Sequence, residues 1–145
     1  MVALIQCDAK GEPIEPVKLL SEGLLAACAK SAALYGRIGY EVPWVSYVAV
    51  DAGIGVGGGA FVGPPRDGVV EIAYFTLPEF QGRGYATQTA RELVAIAREA
   101  VRTISLKAFT LREVNSSAKI LERLGFRKVG IAHDDDAGEV WEWRA

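Results

Sequence analysis

Apolar residues recur every three or four positions in two long stretches of the chain, residues 17–35 and residues 86–101. This period places the apolar side chains on one face of a helix, so both stretches are predicted to be helical. The second stretch carries Gln, Arg and Glu on its other faces and predicts an amphipathic helix. A third, shorter helix is predicted over residues 116–124, where Gly125 stops it.

Runs of β-branched and aromatic residues lie between these helices and predict strands. The run VVEIAYFTL, residues 69–77, is the best candidate for a central strand. The other predicted strands cover residues 1–5, 44–50, 60–62, 104–110, 126–132 and 139–144. This order is typical of an α/β fold, in which helices pack on the faces of a mixed sheet. A single domain over residues 1–145 is expected, since no linker or internal repeat is visible.

Composition narrows the class of protein. Half of the 145 residues are hydrophobic and the net charge is -2, which excludes a disordered chain and argues against bulk electrostatic binding to nucleic acid or membranes. The first residues, MVALIQCDAK, lack the features of a secretory signal, and no stretch holds about 18 consecutive apolar residues. A cytoplasmic location is therefore expected. Cys7 and Cys28 have neither CxxC spacing nor a nearby His, so both are interpreted as small hydrophobes and not as metal ligands.

Glycine is in excess, at 16 of 145 positions against a usual share of about 7%. One cluster, residues 53–58, matches the letters of the GxGxxG dinucleotide fingerprint. That fingerprint requires a helix to begin at its third glycine, because the helix N-terminus binds the pyrophosphate. The sequence that follows, GAFVGPP at residues 59–65, cannot form such a helix. A glycine-rich hairpin between two strands is predicted here instead.

A second cluster contains Gly82 and Gly84, in the sequence QGRGYAT at residues 81–87. This segment, the glycine loop, lies between the predicted central strand and the amphipathic helix. Free main-chain N–H groups and the positive end of a helix favour an anion at such a position. No Gly-Lys-Ser/Thr follows, so the segment is not a Walker loop. An ordinary tight turn that caps a helix has similar residues, and the loop alone leaves both interpretations open.

The context of the loop favours the anion site. Residues 71–97 resemble the acetyl-CoA loop of the GNAT superfamily of N-acetyltransferases, and Gln81-x-x-Gly84-x-Ala86 matches that family's signature. Residues 115–126, NSSAKILERLGF, resemble the helix and strand that follow in the family, especially in its ribosomal-protein-acetyltransferase-like branch. The resemblance implies a single-domain α/β GNAT-type acyl-CoA N-acyltransferase fold. It has a mixed central sheet of about six to seven strands with helices on both faces.

The resemblance also implies a role for particular residues. The strand before the loop separates from its neighbour, and main-chain groups around Phe75, Thr76 and Leu77 bond the pantetheine arm of acetyl-CoA. Asn115 and Ser117 contact this co-substrate from the other side. No metal is expected, because the cysteines lack ligand spacing and the Asp residues beside His133 do not converge. The pyrophosphate is expected to bind the main-chain amides of Gly82, Arg83, Gly84, Tyr85, Ala86 and Thr87.

The implied reaction is direct attack of a neutral amine on the thioester. An alkylammonium has a pKa near 10, so a base must remove a proton at neutral pH. Glu71 in the central strand is the leading candidate, and a carboxylate that merely faces solvent or a neighbouring Arg is the alternative. Many family members carry a Tyr on the second helix as the proton donor, but this chain has no Tyr after Tyr85. The acid therefore stays unassigned, with water as one option.

Charge and aromatic residues add two further expectations. Residues 105–128 contain six basic and two acidic side chains, which suits either a wall for CoA phosphates or a solvated helix face. Arg83 is preferred to Lys119 as a phosphate contact. The only histidine, His133, precedes three Asp residues and is expected in a solvated loop. By the resemblance, the acceptor side contains Tyr35, Tyr40, Trp44 and Tyr47.

The final predicted strand carries Trp141 and Trp143, whose spacing puts both on one side. Core packing or an interface is the expected role, and an exposed pair would support a homodimer. Three functional hypotheses follow. The first is an N-acetyltransferase acting on a primary amine of a small molecule or peptide. The alternatives are a non-catalytic acyl-CoA-binding or sensing domain and a structural module that binds no cofactor.

Overall fold

The computed structural model describes residues 1–18 and 20–145. The helices are α1 (Glu22–Ile38), α2 (Tyr85–Ala100) and α3 (Ser116–Arg123), and a short 3-10 helix covers Pro78–Phe80. The strands are β1 (Ala3–Gln6), β2 (Ser46–Asp51), β3 (Ile54–Phe61), β4 (Val69–Thr76), β5 (Ser105–Leu111), β6 (Arg127–Asp134) and β7 (Gly138–Arg144). No helix of the described residues is long and apolar enough to cross a membrane.

The seven strands form one mixed sheet in the order β1-β2-β3-β4-β5-β7-β6. Only β4 and β5 are paired in parallel, and every other neighbouring pair is antiparallel. On one face of the sheet, the α1 face, Ser31 of α1 is bonded to Ser46 of β2 with 2.7 Å between their hydroxyl oxygens. Leu93 of α2 packs against Gly59 of β3 on the opposite, α2 face. The predicted fold class is confirmed.

The boundaries of α1 follow from its caps. The sequence predicted a helix from residue 17, but the Ser21 side chain accepts a hydrogen bond from the Leu24 N–H, so the helix begins at Glu22. Gly39, with φ +87°, ends it. Leu19, within the predicted range, lies outside the described residues.

The predicted glycine-rich hairpin is present between β2 and β3, but most of the first glycine cluster lies in its second strand and not in its turn. Only Ala52 and Gly53 form the turn, and β3 begins at Ile54. A Cβ on Gly57 would lie 2.3 Å from the carbonyl oxygen of Phe75, and one on Gly59 would lie 2.8 Å from Leu93 Cδ1. These glycines therefore let β4 and α2 approach β3 closely. A sequence pattern does not report such an approach, because it depends on the packed neighbours.

Replacing Gly57 with alanine is expected to lower the free energy of unfolding by about 3 kcal/mol, because the obstacle to its Cβ is the main chain of β4. Gly130→Ala is the matched control. Gly130 also lies in a strand, β6, but an added Cβ there meets nothing within 4 Å. Chemical denaturation measures both variants. Equal stabilities for the two would contradict the close approach of β3 and β4.

The last hairpin confirms one sequence interpretation and corrects another. Trp141 and Trp143 lie on the same side of β7, with ring centroids 6.4 Å apart, as predicted. Trp143 is only 2% exposed and its Nε1 donates to Thr110 Oγ1 at 2.8 Å, so the expected core packing is confirmed for Trp143. His133 is exposed but pairs with Glu139 within the β6–β7 ladder, so it does not lie in a loop.

Three of the four aromatic residues expected on the acceptor side are buried in the core. Tyr35, Trp44 and Tyr47 are each 7% exposed and pack in one hydrophobic cluster. The Tyr35 hydroxyl accepts a hydrogen bond from the Ser46 N–H at 2.7 Å, and the Tyr47 hydroxyl donates to the Pro43 carbonyl at 2.8 Å. These hydroxyls stabilise the packing of the sheet and the segment before it.

Candidate active site

The two parallel central strands separate at the middle of the sheet. Pairing of β4 with β5 extends only from Val69–Ser105 to Glu71–Lys107. Beyond that point a small cavity of about 120 Å³, the wedge cavity, lies between the two strands and touches Ser117 of α3. The separation expected from the family resemblance is therefore present in the fold.

The main chain of β4 has a definite polarity at this opening. The Val62 N–H donates to the Glu71 carbonyl, and the Leu77 N–H donates to the Val56 carbonyl, both at 2.9 Å. Odd-numbered residues of β4 thus turn their main-chain groups towards β3, and even-numbered residues turn theirs away from it. Among the three residues predicted to bond the pantetheine arm, only Thr76 has its main-chain groups on the open side. The main-chain groups of Phe75 and Leu77 face β3 and are therefore not available to the pantetheine arm, which corrects the expectation for these two residues.

The glycine loop ends at the N-terminus of α2. Gly84 is the N-cap residue with φ +81°, and Gly82 has the same φ. The first intrahelical bond runs from the Gln88 N–H to the Gly84 carbonyl at 3.2 Å. The N–H groups of Tyr85, Ala86 and Thr87 therefore precede the helical ladder, and no side chain caps them.

A groove of about 580 Å³, the central groove, connects these features. It lies between the end of β4, the glycine loop and the first turns of α2 and α3. The predicted site residues that line it are Phe75, Thr76, Gly82, Gly84, Tyr85, Ala86, Thr87 and Ser117. The Thr76 hydroxyl is buried beside this groove and has no hydrogen-bond partner in the described part of the chain. An orphaned polar atom and free N–H groups together are what a polar ligand would satisfy.

The other predicted site residues have different surroundings. The Arg83 guanidinium lies over the Phe80 ring, 5.6 Å from its centroid, and Arg83 does not line the groove. Asn115 is the N-cap of α3, and its Oδ1 accepts a hydrogen bond from the Ala118 N–H at 2.9 Å. Leu77 is 6% exposed and packs in a hydrophobic cluster.

The basic segment predicted to form a wall is divided by the fold. Lys119 and Arg123 of α3 line the central groove, so they supply its positive charge and Arg83 does not. Lys107 lies on the other side of the central strands, against Glu71. Arg112 forms an ion pair with Glu139. The remaining two basic residues, at positions 127 and 128, belong to the edge strand β6.

Glu71 is half-buried on the α1 face, next to its β5 partner Lys107. Burial raises the pKa of Glu71 above its ordinary value, Lys107 opposes this increase, and the negative charges of Asp134 and Glu142 add to it. A carboxylate with a raised pKa binds a proton more readily than an exposed one, which is the property a general base at neutral pH needs.

Tyr74 is a functional candidate that the sequence analysis missed. It belongs to the linings of both the central groove and the wedge cavity, and its hydroxyl lies 3.5 Å from the Ser117 carbonyl oxygen. Burial raises its pKa to about 12, so the phenol stays protonated at neutral pH. The period-two alternation of β4 was the available signal, since it places Tyr74 on the face opposite Glu71.

A third space, the α1 cavity, measures about 410 Å³ and lies between α1 and strands β2, β3 and β4. It shares Tyr74 and Phe75 with the central groove. Its lining is mostly apolar, and Lys30 is the one charged residue among the described residues that line it. Cys28 belongs to this lining and contacts the buried Cys7, whose pKa is raised to about 12 chiefly by burial. Both cysteines are free thiols, and Cys7 is the small buried residue that was predicted.

Comparison with known proteins identifies relatives of this chain. It is 35% identical over 74 residues to the uncharacterized N-acetyltransferase YjdG of Bacillus subtilis (strain 168). The match covers 49% of this chain and 43% of the relative, so the chain spans less than half the length of the curated relative it matches.

Two solved structures show the same fold. The IAA acetyltransferase from Bacillus cereus has a TM-score of 0.69 at 17% identity, over 99% of this chain and 98% of that one. A Bacillus subtilis acetyltransferase in complex with CoA has a TM-score of 0.60 at 15% identity, over 69% of this chain and 74% of that one. The family model described as an acetyltransferase (GNAT) domain matches residues 23–127. That span includes the parted central strands, the glycine loop and α3, and the chain belongs to the GNAT acetyltransferase family.

Proposed function

We propose that this protein is an acetyl-CoA-dependent N-acetyltransferase that acetylates a primary amine of a small molecule or peptide. The observation that carries the proposal is the central groove, which meets the wedge cavity between β4 and β5 at Tyr74 and Ser117 and extends to the uncapped start of α2. A thioester with a long arm and a phosphate-rich end needs both features in one continuous groove. Assignment to the ribosomal-protein branch of the family stays a prediction.

The residues of the groove fit the two ends of acetyl-CoA. The main-chain N–H groups at the start of α2 and the ammonium of Lys119 would hold phosphate oxygens, since both donate to anions. The main-chain groups of Tyr74, together with the N–H and the unpaired hydroxyl of Thr76, would bond the amide groups of the pantetheine arm. The Thr76 carbonyl already accepts a hydrogen bond from Gln81 Nε2 at 3.2 Å. The Bacillus subtilis structural relative that binds CoA has the same fold.

The acid and base assignments place one group on each face of β4. Glu71, on the α1 face, would accept the proton of the attacking amine, directly or through water. Tyr74, next to the groove, would donate a proton to the departing thiolate. A thiol with a pKa near 8.5 is a tolerable leaving group, so the donor contributes less than the base.

Replacing Tyr74 with phenylalanine is expected to lower kcat about 10- to 100-fold with little change in the KM for acetyl-CoA, because only the proton donor is lost. Steady-state kinetics provides the measurement. Tyr40→Phe is the control: it removes a hydroxyl that donates to the Cys7 carbonyl, away from the groove. If both variants keep the kcat of the wild type, water rather than Tyr74 supplies the proton.

One observation favours a non-catalytic acyl-CoA sensor as the second candidate. The helix α3 carries Ile120, Leu121 and Glu122 where many relatives have the acidic Tyr. Thiol release from acetyl-CoA, measured with metabolite amines, polyamines, aminoglycosides and peptides, separates the two functions. The acetyltransferase is expected to release CoA with at least one class of amine. Tight calorimetric binding of acetyl-CoA without any turnover would favour the sensor.

A further inference from the structure

A large cleft lies on the α1 face at the start of the central strands. Its volume is about 780 Å³, and it is lined by the end of α1, the β3–β4 connection, and strands β4, β5 and β7. Glu71 lies in this cleft and also lines the wedge cavity. The cleft thus meets the opening between β4 and β5 at the candidate base.

The charge of this cleft is predominantly positive. Four basic side chains and two acidic ones line it, namely Arg37, Arg66, Lys107, Arg144, Asp67 and Glu71. We call it the cationic cleft. Arg144 is engaged by Glu142, with 2.7 Å between Nε and Oε2. Within the described residues, Arg37, Arg66 and Lys107 form no ion pair.

The basic residues have different depths in the cleft. Arg37 and Arg66 are exposed at its rim, on separate elements, while Lys107 is half-buried beside Glu71. Glu71 offsets the charge of Lys107, but Arg37 and Arg66 bring two further positive charges to the rim of the same concavity, and these repel each other. The arrangement therefore favours a negatively charged ligand group in the cleft.

We propose that the cationic cleft binds an anionic group, a carboxylate or phosphate, carried by the same molecule that presents the amine. This inference rests on the proposed function, because it names the class of acceptor for that reaction. The α1 cavity is an unsuitable place for the anion, since its lining is mostly apolar and Lys30 is the one charged side chain that the described part of the chain contributes to it.

The geometry of β4 sets the spacing within such an acceptor. Side chains at Glu71 and Ala73 lie on the same face of the strand, roughly 7 Å apart along it. An amine held near Ala73, where the wedge cavity and the α1 cavity meet, leaves the rest of a short acceptor within reach of the cleft. The acceptor is thus an amine and an anion joined by a few bonds.

The cations of the cleft also select against one class of amine. The same cations disfavour a polyamine, which would bring further positive charge into the cleft. The proposed enzyme therefore discriminates against polycations as well as selecting anions.

Matched pairs of amines test the inference by thiol release. The pairs are 4-aminobutyrate against 4-aminobutanamide and phosphoethanolamine against ethanolamine, with spermidine as a polycation. The wild type is expected to prefer an anionic member at least tenfold in kcat/KM, and the two pairs distinguish a carboxylate from a phosphate. Equal use of both members of each pair, or preference for spermidine, overturns the inference and leaves the acetyltransferase proposal intact.

The double variant Arg37→Gln/Arg66→Gln keeps Glu71 and Lys107 and removes the two rim charges. The ratio of kcat/KM for the anionic amine to that for its neutral partner is expected to decrease about tenfold or more, since each Arg can make charge-assisted hydrogen bonds to the anion. The KM for acetyl-CoA is expected to stay unchanged. Arg91→Gln is the control, because Arg91 is exposed on α2 and does not line the cleft. A preference retained by the double variant contradicts the assignment of the cleft.

Direct binding separates this inference from the proposed function. If no amine is acetylated although acetyl-CoA binds, the proposed function fails, and calorimetry with 4-aminobutyrate and phosphoethanolamine decides the inference. Binding to the wild type that is lost in Arg37→Gln/Arg66→Gln supports an anion site. Absence of binding to the wild type overturns it.

Discussion

Replacing Gly84 with valine is expected to weaken acetyl-CoA binding more than 100-fold. Gly84 has φ +81° at the N-cap of α2, a conformation that is strongly unfavourable for a β-branched residue. The variant relieves this strain by moving the glycine loop, which misaligns the N–H groups of Tyr85, Ala86 and Thr87. Hydrogen bonds to a charged group contribute about 1.5–3 kcal/mol each, so loss of two exceeds a 100-fold change in affinity.

The control for this variant has the same strain far from the groove. Gly138 has φ +77° in the β6–β7 hairpin, and an added Cβ there meets nothing within 4 Å. Gly138→Val is expected to lose similar stability, about 1–2 kcal/mol, while its affinity for acetyl-CoA equals that of the wild type. Calorimetry and thermal unfolding measure the two quantities. Wild-type affinity in the folded Gly84→Val variant would show that the glycine loop is only a turn.

The glycine loop was predictable because its chemistry is local. The loop follows a run of strand-forming residues and precedes an apolar period of helical type. Those two signals place Gly84 at a helix start without knowledge of any other element. The structure confirms that position, with Gly84 as the N-cap of α2.

The glycines of β3 were misinterpreted because their requirement is tertiary. Gly57 and Gly59 resemble loop residues by composition, since glycine weakens an ordinary strand. Their small size is needed only because Phe75 of β4 and Leu93 of α2 lie against them. Those neighbours are 18 and 34 residues distant in the sequence, beyond the reach of any local pattern.

Which basic residue lies closest to the proposed phosphate site also depends on packing. Arg83 is the nearest cation to the glycine loop in the sequence, which made it the preferred phosphate contact. Its side chain instead lies over Phe80. Lys119 is far away along the chain, but α3 brings it to the groove. Proximity in the sequence fixes the position of a main-chain amide much better than the direction of a long side chain.

Replacing Glu71 with glutamine is expected to lower kcat by about 100-fold or more, because the amide cannot accept the proton of the amine. The KM for acetyl-CoA is expected to change little, since Glu71 does not line the central groove. Glu92→Gln, an exposed residue of α2, removes the same charge elsewhere and serves as the control. Steady-state kinetics with an acceptor found by thiol release provides the measurement.

The pH dependence distinguishes a base from a residue that only supports the fold. A base acts in its ionised form, so wild-type activity should fall as the pH decreases through the raised pKa of Glu71. The Glu71→Gln variant should lose this part of the pH profile and keep the contribution of the amine itself. A profile that is unchanged in the variant would assign the proton transfer to another group.

The stability of the Glu71→Gln variant distinguishes a catalytic role of Glu71 from a structural one. The expected change in stability follows from the direction of the pKa shift. A carboxyl whose pKa is higher in the folded state binds protons more tightly there, so its contribution to stability is lost as the pH rises through that pKa. Above that pKa the ionised, half-buried Glu71 therefore does not favour folding. A neutral glutamine removes this penalty, although Lys107 loses its partner.

We expect Glu71→Gln to unfold at a temperature close to that of the wild type, so that its loss of activity reports on chemistry. A large decrease in that temperature would instead make Glu71 a structural partner of Lys107.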